Sequence, residues 1–487
     1  MRQSGKALKE ILSDPSRSYN FGDIDILEAE RRFSRDDTVT DIAGYASKNI
    51  KLHIPFLTSP MPDVTDKHIA ILAARMGALG VIPATHDPEE QAEIIQQVKS
   101  NEGGFIENPF TLSPRASLHD ALTAPYSNIP IVDGGRLIGI FIRQPYEEYY
   151  SKQNRAEPLS HFIETDIKKI SAAVELVEKN SELDFHRAQE IMMERKIPAL
   201  AIVSKNGILR YLITMKDVQQ ETLYPYATRD KKNRLCVGAA IFEYRTKDNM
   251  KRIKLLAEQA EVDLFVFDQA HGWNYDVGQM TQYLKEEYPH INVIAGNDSV
   301  FGAASFHKKN GADGMRVGQG PGSICTTGAE NNVGIWRPQF SAVYDCAREI
   351  KFFPCIADGG IRYAYDAFKA YAGGASATMG GKIVAQTVDS PAKEISPGVK
   401  QYRGMASPDI AIENEAAFMR YSRKTFVAEG EALPLKVTTT FEKFLKDFSE
   451  TIRKEFERVG AKNIHELHQK LRSGELRAQF AHNRESR

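Results

Sequence analysis

The stretch VDLFVFDQAHG, residues 262–272, places five apolar residues in its first six positions and then breaks into polar and small ones. A run that is apolar without alternation has no solvent face, so it reads as a strand covered on both sides, as in a parallel sheet flanked by helices. The same form recurs along the chain as HIPFLTSPM (53–61), GALGVIPAT (77–85), LCVGAAI (235–241), NVIAGND (292–298), ADGMRVGQG (312–320), FPCIADGG (353–360) and GASATMGG (374–381). Amphipathic stretches such as TDKHIAILAARMG and KRIKLLAEQA follow these runs. Eight strand–helix units imply a closed (β/α)8 barrel of the TIM type, in which chemistry gathers where the strands end.

Bulk composition narrows the partner. The 487 residues carry 63 basic and 64 acidic side chains, so the balance excludes the electrostatic footprint of nucleic-acid binding, and no apolar run is long enough to span a bilayer. The expected partner is a small molecule. Cys236, Cys325, Cys346 and Cys355 lack metal-type spacing, and MRQSGKALKEILSDPSRS lacks an apolar signal core, which predicts a reduced, cytoplasmic protein.

Residues 86–234 separate the second run from the third, too long for an ordinary connection. Within them IPIVDGGRLIGIFIRQPYEE (129–148) and IPALAIVSKNGILRYLITMKDVQQ (197–220) are rough copies, each preceded by a helix candidate. A tandem α/β repeat over 104–220 therefore interrupts the barrel, which comprises 1–103 and 221–487. After the eighth run, residues 396–437 are polar and weakly periodic, a segment read as a mobile flap over the site. FEKFLKDFSETIRKEFERVG then predicts a closing amphipathic helix.

The sixth strand runs into GQGPGSICTTG (318–328). Gly318, Gly320 and Gly322 permit close backbone approach to a ligand, Ser323 adds a hydroxyl, and glycine-rich turns with free N–H groups cradle phosphate. Asp358 at the seventh strand end suits a pair of ribose hydroxyls, and the eighth ends in Gly380, Gly381 and Lys382, so the expected ligand is a nucleotide monophosphate. Cys325, set among small residues rather than bulky apolar ones, is placed to attack an electrophilic ring carbon, with Thr327 to handle a proton. The other three cysteines and His271 read as structural, Asp268 as a cofactor contact, Asn297 as facing a base, and Trp273 as packing or stacking.

GPGSICTT, ADGGI, the Gly-Gly strand end, YRGMAS and the paired repeat after the second strand together resemble the inosine monophosphate dehydrogenase and guanosine monophosphate reductase family over about residues 18–470. The insert resembles a tandem CBS (Bateman) pair, modules that bind ATP or GTP; only its second half keeps the Thr-x-x-Asp ending, Thr214 and Asp217. The resemblance implies that Cys325 attacks C2 of the purine, that NAD takes the electrons, and that water releases xanthosine monophosphate, activated by Arg420 and Tyr421 with Thr327 and Glu429 as a second relay. Ser59, Met61, Asn297, Ser323, Asp358, Gly360, Gly381, Lys382, Tyr402, Met405 and Ala406 match nucleotide contacts; Asp268, Gln269, Gly318 and Gly320 match cofactor contacts. A potassium ion would lie on carbonyls of Gly320, Gly322 and Cys325. A homotetramer that pairs into octamers is implied as well.

Several positions depart from the family pattern. Lys382 stands where a small hydroxyl residue is usual and Gln269 where a serine is; Gly328 lacks the usual Arg or Gln, and the flap ends in GEALPLKV. The resemblance leaves open an NADPH-dependent reductase converting guanosine monophosphate to inosine monophosphate and ammonia, and a nucleotide-binding regulatory homologue without catalysis. The Arg420–Tyr421 pair favours the dehydrogenase.

Overall fold

The computed structural model describes residues 5–33, 41–101, 105–107, 109–143, 158–179, 182–325, 334–405, 407–408, 410 and 430–481. They fall into two compact units, one of residues 1–98, 226–228 and 236–487, the other of residues 99–225 and 229–235.

In the first unit all eight apolar runs form strands, numbered here within the barrel: β1 (Phe56–Thr58), β2 (Val81–Ile82), β3 (Gly238–Ile241), β4 (Leu264–Phe267), β5 (Asn292–Asp298), β6 (Gly314–Val317), β7 (Cys355–Asp358) and β8 (Ala377–Gly380). They pair in parallel in the order β1-β8-β7-β6-β5-β4-β3-β2. A parallel bridge between Leu57 and Leu79 joins the two ends of that order, with Thr58 N–H donating to the Leu79 carbonyl at 3.0 Å. The barrel is closed, as the eight runs implied.

Strand alternation divides the side chains into two layers. Leu57, Val81, Leu264, Val266, Ile294, Ile356 and Met379 form one buried cluster, together with Ala46, Ile50 and Leu52 of the hairpin Gly44–Ser47/Ile50–Leu52. Phe56, Met315, Val317, Cys355 and Ala357 belong to a second cluster, shared with the helices outside. Those helices include α1 (Lys67–Arg75), α2 (Pro88–Asn101), α3 (Lys247–Lys254), α4 (Tyr275–Glu287), α5 (Ala303–Lys309), α6 (Gln339–Glu349), α7 (Ala364–Ala372) and α8 (Phe441–Arg458). Thr440 starts α8 by accepting the Lys443 N–H, and its Phe444 and Phe448 rings lie 5.6 and 5.3 Å from the ring of Phe56. This is the closing amphipathic helix expected from the sequence.

The 396–437 segment begins and ends in strands. Val399–Arg403 pairs with Ala432–Lys436 in antiparallel register, forming an arm. Lys400, buried on this arm, donates to the carbonyls of Thr387, Val388 and Ser390 at 2.7–3.0 Å, which ties its base to the chain after β8. The strand Arg477–Phe480 pairs with Lys6–Ala7 and Ile24–Ile26, a pairing of terminal segments that local sequence pattern does not reveal.

The second unit repeats one motif. Helix Leu118–Thr123 precedes the hairpin Asn128–Asp133/Arg136–Ile142, and helix Phe185–Arg195 precedes the hairpin Ala199–Val203/Leu209–Thr214. Residues 229–235 belong to it because Lys99 pairs with Asp230 at 2.7 Å and Phe105 N–H donates to the Lys232 carbonyl at 3.2 Å.

Phe56→Ala removes a fully buried ring from the layer between β1 and α8, and should lower barrel stability by about 3–5 kcal/mol. Trp273 and Trp336 both lie in this unit, so urea unfolding followed by tryptophan fluorescence checks it. A loss under about 1 kcal/mol would contradict this packing.

Candidate active site

A cavity of about 1100 Å³ opens at the C-terminal ends of the strands. It is lined by Ser59 and Met61 after β1, Glu243 and Tyr244 after β3, residues 268–271 after β4, Asn297 on β5, residues 318–325 after β6, residues 358–362 at the end of β7, and residues 379–382 at the end of β8. Tyr402, Gly404 and Met405 of the arm and residues 20–23 complete it. The volume is at the upper end for one small ligand, which suits two ligands side by side.

Arg316 occupies the centre. It lies on β6 between Met315 and Val317, which face the outer layer, so alternation turns its guanidinium inward, where it is almost fully buried. Its Nη2 and Nε donate to Asp358 Oδ2 at 2.7 and 3.1 Å, its Nη1 donates to the Phe267 carbonyl at 2.8 Å, and Asp268 Oδ1 lies 3.6 Å from Nη1. Burial disfavours the charged guanidinium, but Asp358 and Asp268 outweigh that, and its pKa stands above the ordinary value. Asn297 Nδ2 donates to the same Asp358 oxygen at 2.6 Å and to the Gly318 carbonyl at 3.1 Å. Buried Gln339 donates to the carbonyls of Val317 and Asp358 at 2.7 and 3.1 Å. Asp358 is thereby fixed from three elements.

The glycines here answer to space. Gly318 adopts φ of 147°, and a Cβ there would sit 2.3 Å from the Asp358 carbonyl oxygen; a Cβ at Gly381 would sit 2.4 Å from the Tyr402 hydroxyl. Tyr402 is buried, and burial first, then Asp358, Asp63 and Cys325, pushes its hydroxyl up, so it stays a neutral donor, set 3.7 Å from Met61 Sδ. Cys325 is half-buried on the cavity wall. An antiparallel bridge joins it to Gly430, and Glu431 N–H donates to the Ile324 carbonyl at 3.0 Å, so the residues leading into the second strand of the arm hold the cysteine turn. Arg403 anchors the arm in turn by forking Asp63 at 2.7–3.0 Å.

At the other end of the cavity stand Glu243, Asp268, Gln269 and His271. Gln269 Nε2 donates to the Gly296 carbonyl at 3.3 Å, which turns its amide oxygen toward Glu243 as the acceptor that a protonated carboxyl needs. Burial first, with help from Asp276 and Asp268, pushes the Glu243 carboxyl up to about 7. Trp273 packs on Gly302 rather than lining the cavity.

Of the residues picked out by sequence, the cavity unites Ser59, Met61, Asp268, Gln269, Asn297, Gly318, Gly320, Gly322, Ser323, Cys325, Asp358, Gly360, Gly381, Lys382, Tyr402 and Met405. Thr327, Ala406, Arg420, Tyr421 and Glu429 lie outside the described residues. Cys236, Cys346 and Cys355 are buried away from it, and burial pushes the thiols of Cys346 and Cys355 up, the latter to about 12. Sequence reading missed Arg316, Gln339 and Glu243. The signal for Arg316 was a charge inside an otherwise apolar strand, and that for Glu243 a carboxylate just past a strand end.

A parallel barrel with a half-buried cysteine on a glycine turn and a buried arginine–carboxylate knot at its mouth has the form of a barrel enzyme with its site at the strand ends. Comparison with known proteins makes it specific. Residues 18–486 match the family model described as IMP dehydrogenase / GMP reductase domain. Inosine-5'-monophosphate dehydrogenase of Aquifex aeolicus is 35% identical over 445 residues, covering 89% of this chain and 88% of the relative. The Bacillus subtilis enzyme of the same name is 38% identical over 408 residues, covering 80% and 79%. Among solved structures, a cysteine-to-alanine variant of GMP reductase from Trypanosoma brucei in complex with guanosine 5'-monophosphate superimposes with a TM-score of 0.81 at 27% identity, covering 97% of each chain. The chain belongs to the IMP dehydrogenase/GMP reductase family.

The folded state holds a proton on Glu243 up to pH of about 7, whereas the unfolded chain releases it near the ordinary 4.5, so stability falls as pH rises through that window and is level above it. Glu243→Gln should remove this slope, worth about 3 kcal/mol between the two ends. Melting temperature against pH for both proteins checks it, and parallel curves would contradict it.

Proposed function

We propose that the protein is an NAD-dependent dehydrogenase oxidising inosine monophosphate to xanthosine monophosphate, a step in guanine nucleotide synthesis. The observation that carries it is the half-buried Cys325 on a glycine turn facing the same cavity as Asp358, Gly360 and Gly381. Relatives of that name at 35–38% identity over most of the chain support it.

In this reading Ser323, Gly360, Gly381 and Lys382 hold the phosphate and Asp358 the ribose hydroxyls. Ser59, Met61, Asn297, Tyr402, Met405 and Ala406 are assigned to the base. The Cys325 sulfur, as thiolate, adds to C2; the C2 hydrogen leaves with its electron pair, giving a thioimidate. Water adds to C2, the carbon–sulfur bond breaks, and xanthosine monophosphate departs, with one proton released overall. Arg420 and Tyr421 activate the water, and Thr327 with Glu429 provides a second proton path. NAD supplies the two-electron acceptor. Asp268, Gln269, Gly318 and Gly320 are assigned to it, and a wall containing Glu243 and Asp268 suits a ribose bearing a free 2′-hydroxyl rather than a 2′-phosphate. Potassium is assigned to carbonyl oxygens of Gly320, Gly322 and Cys325, hard donors on a turn where Gly320 takes φ of 76°.

The repeated unit is read as a CBS pair taking ATP or GTP in its second half, where Thr214 donates to Asp217 at 2.6 Å. We assign the protein to the cytoplasm as a homotetramer that pairs into octamers. A second reading, an NADPH-dependent reductase of guanosine monophosphate, draws support from the 0.81 TM-score to a solved reductase. A binding-only regulator needs no cysteine at this turn.

Absorbance at 340 nm separates these. With potassium present, inosine monophosphate plus NAD should give a rise that Cys325→Ala abolishes, by a factor of at least about 10³. A fall with guanosine monophosphate plus NADPH would establish the reductase instead, and silence in both would mean a different purine substrate or a binder without catalysis.

A further inference from the structure

Adjacent residues at the end of β5 face opposite ways. Asn297 turns inward to Asp358, so Asp298 turns outward, where it is all but fully buried. One of its carboxylate oxygens, Oδ2, lies 2.5 Å from Nε2 of His307 on α5, itself buried. The other, Oδ1, accepts the backbone N–H of Trp273 at 2.8 Å, and the Asp298 carbonyl accepts the N–H of Gly318 at 2.8 Å. One residue thus joins the loop after β4, the glycine turn after β6 and an outer helix. A carboxylate this deep requires a partner at both oxygens, and a lone Asp298–Trp273 contact would leave one oxygen bare. The tautomer with hydrogen on Nε2 satisfies that need and leaves Nδ1 as a bare lone pair, the cheaper of the two orphans. The space is already tight, since a Cβ at Gly272 would lie 2.8 Å from Asp298 Oδ2.

We propose that the Asp298–His307 pair is a positioning device: His307 holds the carboxylate in the rotamer that captures the Trp273 amide, and so sets the loop of residues 269–274 as the wall against which the dinucleotide binds. The pair touches no reacting group. Its effect should therefore appear in dinucleotide binding and not in chemistry or in nucleotide binding. The inference rests on the dehydrogenase reading for what the loop binds, but not for how the loop is held.

The test compares the full-length wild type with Asp298→Asn and with the double variant Asp298→Val/His307→Leu, which replaces the pair by apolar side chains suited to a strand and a helix. Amide hydrogen exchange at residues 269–274 and steady-state kinetics are the two readouts. The double variant should melt within a few degrees of wild type, exchange about tenfold faster in that segment, and raise KM for NAD about tenfold with kcat and the nucleotide KM within about twofold. Asp298→Asn, which keeps an oxygen for Trp273 and a nitrogen that donates to His307 Nε2 in its other tautomer, should restore both readouts to near wild type while melting lower, because Nδ1–H is then the buried orphan. Unchanged exchange or unchanged KM for NAD in a folded double variant overturns the proposal, as does an equal loss in kcat and in both KM values. If the wild type uses neither NAD nor NADPH, the dehydrogenase reading has failed and the exchange result alone decides whether the pair positions the loop.

Discussion

A guanidinium buried at the mouth of the barrel is the constraint on which the rest of the site depends. Arg316 cannot reside there without charge partners, because stranding one buried ion by removing the other costs about 3–5 kcal/mol. Its partners, Asp358, Asp268 and the Phe267 carbonyl, come from the ends of β7 and β4, and Asn297 of β5 shares the Asp358 oxygen. Four neighbouring strand ends are therefore drawn to one point. The same knot holds two carboxylates that line the cavity, Asp358 and Asp268.

Around that knot Cys325 is placed by backbone rather than by side chains. The turn carrying Cys325 is bound to the arm through Ile324, Gly430 and Glu431, and the arm is bound to the barrel through Arg403 with Asp63 and through Lys400 with three carbonyls. Lys400 is half of a division of labour: burial lowers the pKa of its ammonium, and the carbonyl cage gives the charge the partners that burial removes. A turn with glycines at 318, 320 and 322 has little rigidity of its own, so these external ties supply the preorganisation that a reacting cysteine requires.

Much of this was legible in the sequence because the barrel repeats a simple signal. Eight non-alternating apolar runs each became a strand, and the glycine turn, Asp358 and Gly381 fell where strand ends belong. What escaped were interactions whose two halves are far apart in the chain. Arg316 finds Asp358 42 residues away and Phe267 49 residues away, and Asp63 finds Arg403 340 residues away. An arginine in MRV breaks an apolar pattern without announcing its partners, and a histidine in SFHKKN reads as an exposed helix residue until the fold sets it against Asp298. Residue pattern alone offered Cys325 as a candidate to attack a ring carbon; family resemblance supplied the purine C2 and the NAD acceptor.

The central claim is that Cys325 becomes covalently bonded to the purine during turnover. The most direct measurement is intact-protein mass spectrometry of enzyme quenched with acid in the steady state with inosine monophosphate and NAD, followed by peptide mapping. The account predicts a mass increase corresponding to the bound nucleotide, confined to the peptide containing Cys325 and absent without NAD. Turnover with no adduct on that peptide, or with an adduct on Cys236, Cys346 or Cys355 instead, would contradict it.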